Sequence, residues 1–198
     1  MDTANKVKYN LKNVHYAVTT FDAAGLAAFG KPVPVPGAVS MSCKANGEPK
    51  SFYADGVEFY TVNNNQGYDG DLEIALIPES FRTDVLKEEA DSNKVLVENA
   101  NSQAGHFALL FEFDGDIKQI RHVLYNCSAA RPSIDAKTNE ETKTVQPDKL
   151  SIKARPLADG RVKAKTGDST AETVFNSWYE SVYEPKTDAA KASASTGK

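Results

Sequence analysis

Long hydrophobic runs are missing from this chain of 198 residues. No stretch approaches the roughly 20 consecutive apolar residues that a membrane-spanning helix needs, and the first segment, MDTANKVKYN, is polar throughout. We therefore expect neither a signal peptide nor a membrane anchor. The hydrophobic fraction of 40% and the charged fraction of 25% are typical of a soluble globular protein, for which we expect one main domain at this length.

Cysteine and positive charge are also scarce. Cys43 and Cys127 lie far apart without CxxC spacing, which is typical of free, buried thiols in a reducing compartment. The 23 Lys and Arg residues are outnumbered by 27 Asp and Glu residues, which gives a formal net charge of -4. Nucleic-acid-binding proteins usually carry a clustered basic face. The composition therefore argues against that class.

Complete catalytic and cofactor motifs are missing as well. The segment Gly25 to Lys31 matches most of the phosphate-binding pattern GxxxxGK[ST]. Pro32, however, stands where a hydroxyl must bind magnesium and a helix must begin, and it leads into the extended segment VPVP. No GxSxG nucleophile elbow is present. We therefore predict no enzymatic activity, no nucleotide or other cofactor, and no bound metal.

The isolated histidines and carboxylates are interpreted as structural or surface residues. His15, His106 and His122 lack a partner at metal-ligand spacing, and a zinc site that combines His122 with Cys127 is the weaker alternative. Carboxylate pairs occur at Asp69 and Asp71, at Glu88 and Glu89, and at Asp114 and Asp116. Because the aspartate pairs flank a glycine of a predicted turn, hairpin chemistry explains them better than a hydrolase or calcium site.

Short β-rich runs alternate with turn signals along the chain. The turn signals are Asn46-Gly47, Asp55-Gly56, Asp69-Gly70, Asp114-Gly115 and Asp159-Gly160, which favour the positive φ angles of tight hairpins. Strands are predicted at Val14 to Thr20, Val39 to Lys44, Val57 to Val62, Asp71 to Leu76, Val95 to Glu98, Leu150 to Pro156 and Val162 to Lys165. Many short strands indicate an antiparallel β-sandwich or barrel.

The clearest local prediction is a β-hairpin in FALLFEFDGDIKQIRHVLY. Its first strand places Phe107, Leu109, Phe111 and Phe113 on one face. The chain is predicted to reverse at Asp114-Gly115.

Two segments are predicted to be helical. The first is Pro78 to Lys87, with proline at an early helical position. The second is Ala171 to Tyr183, opened by a capping box of Ser169 and Glu172 and ended by Pro185. Its apolar stripe consists of Val174, Phe175, Trp178 and Val182. We interpret this stripe as the buried face of a flanking helix that lies on a sheet.

Polar segments interrupt and follow the predicted β domain. Asp135 to Asp148 is predicted to be a flexible loop or a protruding hairpin. Asn63 to Gly67 follows the aromatic run FYADGVEFY, and aromatics beside a polar loop indicate a surface that packs against another subunit. The candidate interface residues are Phe52, Tyr53, Phe59, Tyr60, Asn64 and Tyr68. The predicted boundaries are 1–184 for the β domain and 185–198 for a flexible C-terminal arm.

Over most of its length the chain resembles the major tail proteins of long-tailed, non-contractile phages that infect Gram-positive bacteria. The resemblance is carried by NKVKYNLKNVHYA, KPVPVPGAVSMS, SFYADGVEFYT, GYDGDLEIALIPESFRTDVL, HFALLFEFDGD, RHVLYNCSAARPS and VFNSWYESVYEP. It implies a β-sandwich of the tail-tube type with a flanking helix, assembled into hexameric rings that stack into a tube through which DNA passes. It also implies assembly in the host cytoplasm, a place in the virion, and tape measure, tail-tip and tail-terminator proteins as partners.

Two other functions stay open beside this resemblance. A monomeric β-sandwich module of a phage tail could bind a sugar or a protein, with Tyr53, Tyr60 and Tyr68 lining a ligand groove. An enzyme ranks last, because the sequence offers no coherent set of nucleophile, base and orienting group. The acidic composition is compatible with a conduit along which DNA slides without being held.

Overall fold

The computed structural model describes residues 4–138 and 144–186, which form a mainly β protein. The strands are β1 (Lys8–Phe21), β2 (Ala27–Phe29), β3 (Val33–Pro34), β4 (Ala38–Asn46), β5 (Lys50–Ala54), β6 (Val57–Val62), β7 (Gly67–Ile74), β8 (Glu89–Ala90), β9 (Leu96–Val97), β10 (His106–Gly115), β11 (Ile120–Ala129), β12 (Asp148–Ala154) and β13 (Lys163–Lys165). The short helices are α1 (Glu79–Phe81), continued by a π-helical turn at Arg82–Leu86, and α2 (Glu172–Asn176). The predicted fold class, mainly antiparallel β with two short helices, is confirmed.

Most of the strands belong to one large antiparallel sheet. Its order is β2, β1, β10, β11, β12, β7 and β4, with β3 also pairing with β1 and β13 with β11. Strands β1 and β4 lie toward opposite ends of this order and still contact each other, so the sheet curls into a barrel-like shape. Strands β5 and β6 form a separate ribbon, as do β8 and β9.

Each predicted strand overlaps an observed one, and the largest difference in length is in β1. That strand begins at Lys8, well before the predicted Val14. Asn10 and Asn13 have φ angles of 56° and 49°, and the pairing of β1 with β10 shifts register near both residues. These irregularities hide the alternation of side chains on which a sequence-based prediction depends.

The predicted reversal of the β10–β11 hairpin at Asp114-Gly115 is wrong. The turn lies at residues 116–119, and Phe113 pairs with Ile120 across the hairpin. Asp114 and Gly115 instead remain extended, because they pair with Tyr9 and Lys8 of β1. The long first strand thus extends β10 beyond its turn signal.

The predicted turn at Asp69-Gly70 is also wrong, because both residues lie inside β7 between β4 and β12. A Cβ atom added at Gly70 would lie only 2.0 Å from the carbonyl oxygen of Ser42. Glycine is therefore needed here for close approach of the two strands. By contrast, Asp55 and Gly56 have φ angles of 52° and 77° and form the turn between β5 and β6, as predicted.

The main hydrophobic core fills the inside of the curled sheet. It contains the predicted face of β10, with Phe107, Leu109 and Phe111 buried and Phe113 packed against them. Strands β1, β7, β11 and β12 contribute further side chains, and Phe81, Val85 and Leu86 of the first helical segment cover one part of the core. That segment therefore packs its apolar side chains against the sheet.

A second core lies on the opposite face of β1, β10 and β11. Ala108, Leu110 and Val123 of the sheet pack there with Trp178 and Val182 of the C-terminal segment. The predicted burial of the aromatic stripe is confirmed. Strand β10 is consequently buried on both faces.

The second helix is much shorter than predicted. It spans Glu172–Asn176, and its N-cap residue Ala171 forms no side-chain capping bond, so the capping-box prediction is wrong. Beyond it, Trp178 donates a hydrogen bond of 3.4 Å to the carbonyl of His122, and the Tyr125 hydroxyl donates one of 2.9 Å to the carbonyl of Tyr183. The segment after the short helix therefore continues as turns that are held to the sheet by packing and by these hydrogen bonds.

Two predicted flexible segments are only partly covered by the described residues. Residues 139–143 of the predicted loop and residues 187–198 of the predicted arm lie outside them. At the base of the loop, the Lys137 amide donates to the Gln146 side-chain oxygen at 2.7 Å, and the Gln146 side-chain nitrogen donates to the Lys137 carbonyl at 2.8 Å. The described ends of this loop are therefore held together.

Candidate functional site

The β5–β6 ribbon carries most of the predicted interface residues. Phe52, Tyr53, Phe59 and Tyr60 are 61%, 66%, 70% and 64% exposed, respectively. Asn64 is exposed in the connection that follows the ribbon. The structure therefore places the four aromatic candidates together on one exposed element, which we call the aromatic hairpin (residues 50–62), and Asn64 just after it.

Tyr68, the remaining candidate, lies apart from the aromatic hairpin. It is half-buried in β7, and its hydroxyl accepts a hydrogen bond of 2.5 Å from Lys163 Nζ. The Lys163 ammonium lies 4.5 Å from the centre of the Tyr68 ring. Tyr68 thus belongs to the main sheet near the base of the hairpin.

The aromatic hairpin has two unlike faces, because paired residues of antiparallel strands share a face. Phe52 pairs with Tyr60 and Lys50 pairs with Val62, which gives one largely apolar face. Ser51 pairs with Thr61 and Tyr53 pairs with Glu58 on the other face, and a register shift between these sets leaves Phe59 as an extra residue. The ribbon is therefore amphipathic, with a bulge next to its aromatic pair.

Hydrogen bonds order the polar face of the aromatic hairpin. Thr61 Oγ1 and Ser51 Oγ both donate to Glu58 Oε1, the latter at 2.9 Å. These bonds, with the Thr61 bond the larger contribution, lower the pKa of the Glu58 carboxyl. Glu58 is consequently a stable negative charge near the turn.

The exposed apolar face is unusual for an isolated two-stranded ribbon. A hairpin without a covering layer is marginally stable in water, and contiguous exposed apolar patches usually mark interaction surfaces. The chain nevertheless places Phe52, Val57, Tyr60 and Val62 in solvent on this ribbon. The arrangement is suited to packing against another protein surface.

A groove lies at one end of the curled sheet, which we call the end groove. Its volume is about 360 Å³. It is lined by Lys8, Met41, Ser42, Cys43, Tyr68, Phe111, Phe113, His122, Leu124 and Lys163. These residues come from β1, β4, β7, β10, β11 and β13, so no local sequence pattern could have identified the groove.

The end groove combines aromatic walls with positive charge. His122 stacks on Phe111 with ring centres 5.1 Å apart, and burial, helped by Lys165 and Lys163, lowers the pKa of His122 to about 4. The Lys8 ammonium lies 4.8 Å from the centre of the Phe113 ring. At neutral pH the histidine is uncharged, so lysine provides the positive charge of the groove.

A second surface pocket of about 580 Å³ lies on the outer face of the sheet. Asp69 and Asp71 of β7 line it and are bonded to basic neighbours: Arg155 Nη2 lies 2.6 Å from Asp69, and Lys149 Nζ lies 3.0 Å from Asp71. Ser151 Oγ also donates to Asp71 at 2.7 Å, and this bond is the largest cause of the lowered pKa of Asp71. The aspartate pair therefore belongs to a salt-bridged polar face.

The other predicted carboxylate pairs have separate neighbours. Glu88 accepts a hydrogen bond of 3.1 Å from Arg82, while Glu89 lies in the short strand β8. Asp114 lies 2.6 Å from Lys12 Nζ, and Asp116 accepts a bond of 2.8 Å from the Lys6 amide. Each bonded carboxylate thus connects neighbouring segments of the fold.

The histidines and thiols occupy separate places in the fold. His15 Nδ1 is 2.8 Å from the carbonyl oxygen of Asn13, and His106 Nδ1 is 2.8 Å from Asn126 Oδ1. Cys127 is fully buried, which raises the pKa of its thiol. It lies five positions after His122, about 16 Å along an extended strand. Within residues 4–138 and 144–186, no group of three or more His, Cys, Asp or Glu side chains could hold a metal ion.

The segment that resembles a phosphate-binding loop forms strands. Gly25, with a φ angle of 77°, lies within a turn in which the Asp22 carboxylate accepts bonds from the amides of Ala24 and Leu26. Strands β2 and β3 then pair with β1. Because a strand follows Lys31 where the motif requires a helix, this segment lacks phosphate-binding geometry.

A buried ion pair behind the C-terminal segment has no signal in the sequence. Arg121 Nε donates to Glu112 Oε2 at 2.9 Å, and Asn13 and Tyr179 donate to the same carboxylate at 2.6 and 3.3 Å. Arg121 also donates to the carbonyl of Phe175 and stacks 3.8 Å from the centre of its ring. This network attaches the C-terminal segment to the sheet.

The fold and the surface together define a mainly β protein with an exposed aromatic ribbon, a charged polar face and an end groove. Neither a scan of protein-family profiles nor a search of curated proteins finds a match for the chain. Among the described helices, none has the length and apolar character needed to cross a membrane.

Proposed function

We propose that this protein is the structural subunit of a phage tail tube, which assembles with further copies of itself into stacked rings. The resemblance of its sequence segments to major tail proteins supports this function. The observation that carries the proposal is the aromatic hairpin, whose apolar face is exposed in the isolated subunit. Association would bury that face, and burial is favourable by about 25 cal/mol for each Å² of apolar surface.

A sheet edge without strand pairing also favours self-association. In the described residues β4 forms strand pairs with β7 alone, and it contacts β1 without pairing with it. Unpaired edges are usually covered or joined to another strand. A head-to-tail contact between copies closes into a ring when its rotation is suitable, and stacked rings extend into a tube.

The surface charges are compatible with a tube that conducts DNA. The polar face of β4, β7 and β12 interleaves Lys44, Lys149 and Lys153 with Asp69 and Asp71. Mixed charges of this kind do not form the continuous basic stripe that holds nucleic acid. Together with the net charge of -4, they favour passage of DNA over tight binding.

The structure does not form the groove of three tyrosines that was predicted for the alternative, a monomeric binding module. Tyr53 and Tyr60 belong to opposite faces of the aromatic hairpin, and Tyr68 lies in the main sheet. The three tyrosines therefore do not line one groove. A binding module would have to use the end groove or another surface.

Assembly can be tested by negative-stain electron microscopy and light scattering over a concentration series. We expect rings or hollow tubes for the unmodified protein. The double variant Phe52→Ser/Tyr60→Ser should remain a folded monomer, because it removes the apolar pair from the exposed face. Circular dichroism would verify its fold.

The matched control is Leu76→Ser, because Leu76 is 70% exposed and lies outside the aromatic hairpin. This variant should assemble normally. A protein that stays monomeric at every concentration, even with a tail-tip initiator, would contradict the proposal and favour the binding module.

A further inference from the structure

We propose that the end groove receives the tip of the aromatic hairpin from a second copy of this chain. The inference rests on the proposed function, since it assumes self-assembly, and it adds the surface that receives the hairpin. We identify the hairpin as the occupant because its apolar side chains and its charge complement those of the groove. Each copy of the chain carries both the hairpin and the groove.

The shape and chemistry of the end groove fit side chains of the hairpin. The volume of the groove, about 360 Å³, lies at the lower end of the range for ligand-binding pockets, about 300–1,000 Å³. Met41, Phe111, Phe113 and Leu124 supply apolar walls. Aromatic side chains such as Phe59 combine large apolar area with few rotatable bonds, which suits them to anchoring in a pocket.

The charges of the two surfaces are opposite. Lys8 and Lys163 line the groove without a carboxylate among its lining residues, and neither lysine forms a salt bridge to another described residue. The tip of the aromatic hairpin carries Asp55 in the turn and Glu58 beside it, whereas its Lys50 lies at the base. Opposite charges at the rim would orient the hairpin as its aromatic residues enter.

The hairpin of the same subunit leaves its own groove open. A hairpin folded into that groove would bury its aromatic residues, but Phe59 is 70% exposed. The base of the ribbon is fixed to the sheet, where the Gln66 amide donates to the Asn46 carbonyl at 2.9 Å. The six residues of β6 span about 20 Å, which is enough to reach a neighbouring subunit.

Native Cys43 provides a direct test, because it lines the end groove and Cys127 is fully buried. We would prepare Ala54→Cys, which lies beside the turn of the aromatic hairpin and leaves Phe59 in place, induce assembly and add a short bis-maleimide crosslinker at mildly alkaline pH. Burial raises the pKa of the Cys43 thiol, so alkaline pH increases the reactive thiolate. We expect crosslinks that join residue 54 of one copy to residue 43 of another, seen as covalent dimers on a denaturing gel and located by mass spectrometry of the linked peptides.

Two controls isolate this contact. Ala54→Cys/Cys43→Ser should lose the crosslink, and its assembly is measured by light scattering beside that of Ala54→Cys. Leu76→Cys, at a site that is 70% exposed outside the hairpin, should form no crosslink to Cys43. Since Ala54 is replaced by a side chain of similar size beside an exposed turn and Leu76 is largely exposed, neither substitution should prevent folding.

The outcomes separate this inference from the proposed function. Tubes without a crosslink between residues 54 and 43 would overturn the docking and leave the structural function intact. Crosslinked, closed dimers that never extend would support the docking and contradict the tube. A strictly monomeric protein without crosslinks would overturn both.

Discussion

The β10–β11 hairpin and the β5–β6 hairpin pair in the same antiparallel way but have opposite surroundings. Strand β10 alternates Phe107, Leu109 and Phe111 toward one core with Ala108 and Leu110 toward another. The aromatic hairpin also carries large apolar residues, yet its strands are exposed along nearly their entire length. Local pairing therefore does not decide whether a hairpin becomes core or surface.

This difference shows that the two hairpins contribute to different properties, one to the stability of the fold and the other to association with a partner. The β10–β11 hairpin is central in the main sheet and should dominate the free energy of folding. The aromatic hairpin contributes little buried area to the isolated subunit and leaves its apolar face available for a partner. Substitutions in the two hairpins should consequently affect different measurements.

The largest expected effect is on the free energy of unfolding when a buried aromatic residue of β10 is truncated. Phe107→Ala should lower it by about 3–5 kcal/mol, because Phe107 is fully buried and the substitution leaves a cavity. Phe59→Ala should change the stability of the isolated subunit by less than about 0.5 kcal/mol. Urea unfolding of both variants below the assembly concentration measures the contrast. Equal losses would show that the aromatic hairpin is part of the folding core.

A second contrast compares a buried ion pair with an exposed one. Glu112→Ala should lower the free energy of unfolding by about 3 kcal/mol, because it leaves Arg121 without its buried partner. Glu98→Ala removes the exposed pair with Arg131 and should cost less than about 1 kcal/mol. Thermal unfolding at fixed pH provides the comparison. A small effect of Glu112→Ala would mean that the C-terminal segment is held mainly by apolar packing.

The smallest effect concerns pH and the end groove. Because the pKa of His122 falls from 6.5 to about 4 on folding, the unfolded chain binds more protons between these values. The His122 contribution is fully present above pH 6.5 and should be lost as pH falls, by roughly 1 kcal/mol for each pH unit between about 6 and 4. Denaturant unfolding of wild type and His122→Phe across this range tests it. A constant stability difference between them would exclude His122 as the titrating group.

Much of the fold could be predicted because alternation and turn residues act locally. The alternating face of β10 and the Asp55-Gly56 turn needed only neighbouring residues. The errors occur where a distant strand overrides a local signal. Pairing with β1 keeps Asp114-Gly115 extended, and close contact with β4 gives Gly70 a packing role.

The candidate site likewise has one part that the sequence predicted and one part that it did not. The aromatic run of β5 and β6 was visible in the sequence, and four predicted interface residues lie on this exposed ribbon. The end groove was not visible in the sequence, because Lys8, Cys43 and Lys163 come from separate strands. Its volume and its charge exist only after the sheet has curled.

The sequence by itself determined the mainly β character, the positions of most strands and the aromatic content of the β5–β6 ribbon, because these follow from short-range patterns of polarity and turn residues. The tertiary structure decided that β10 is buried on both faces, that the aromatic hairpin remains exposed and that two lysines meet at the end groove. Burial and charge proximity depend on which distant strands come together, and that is settled by the packing of the whole chain.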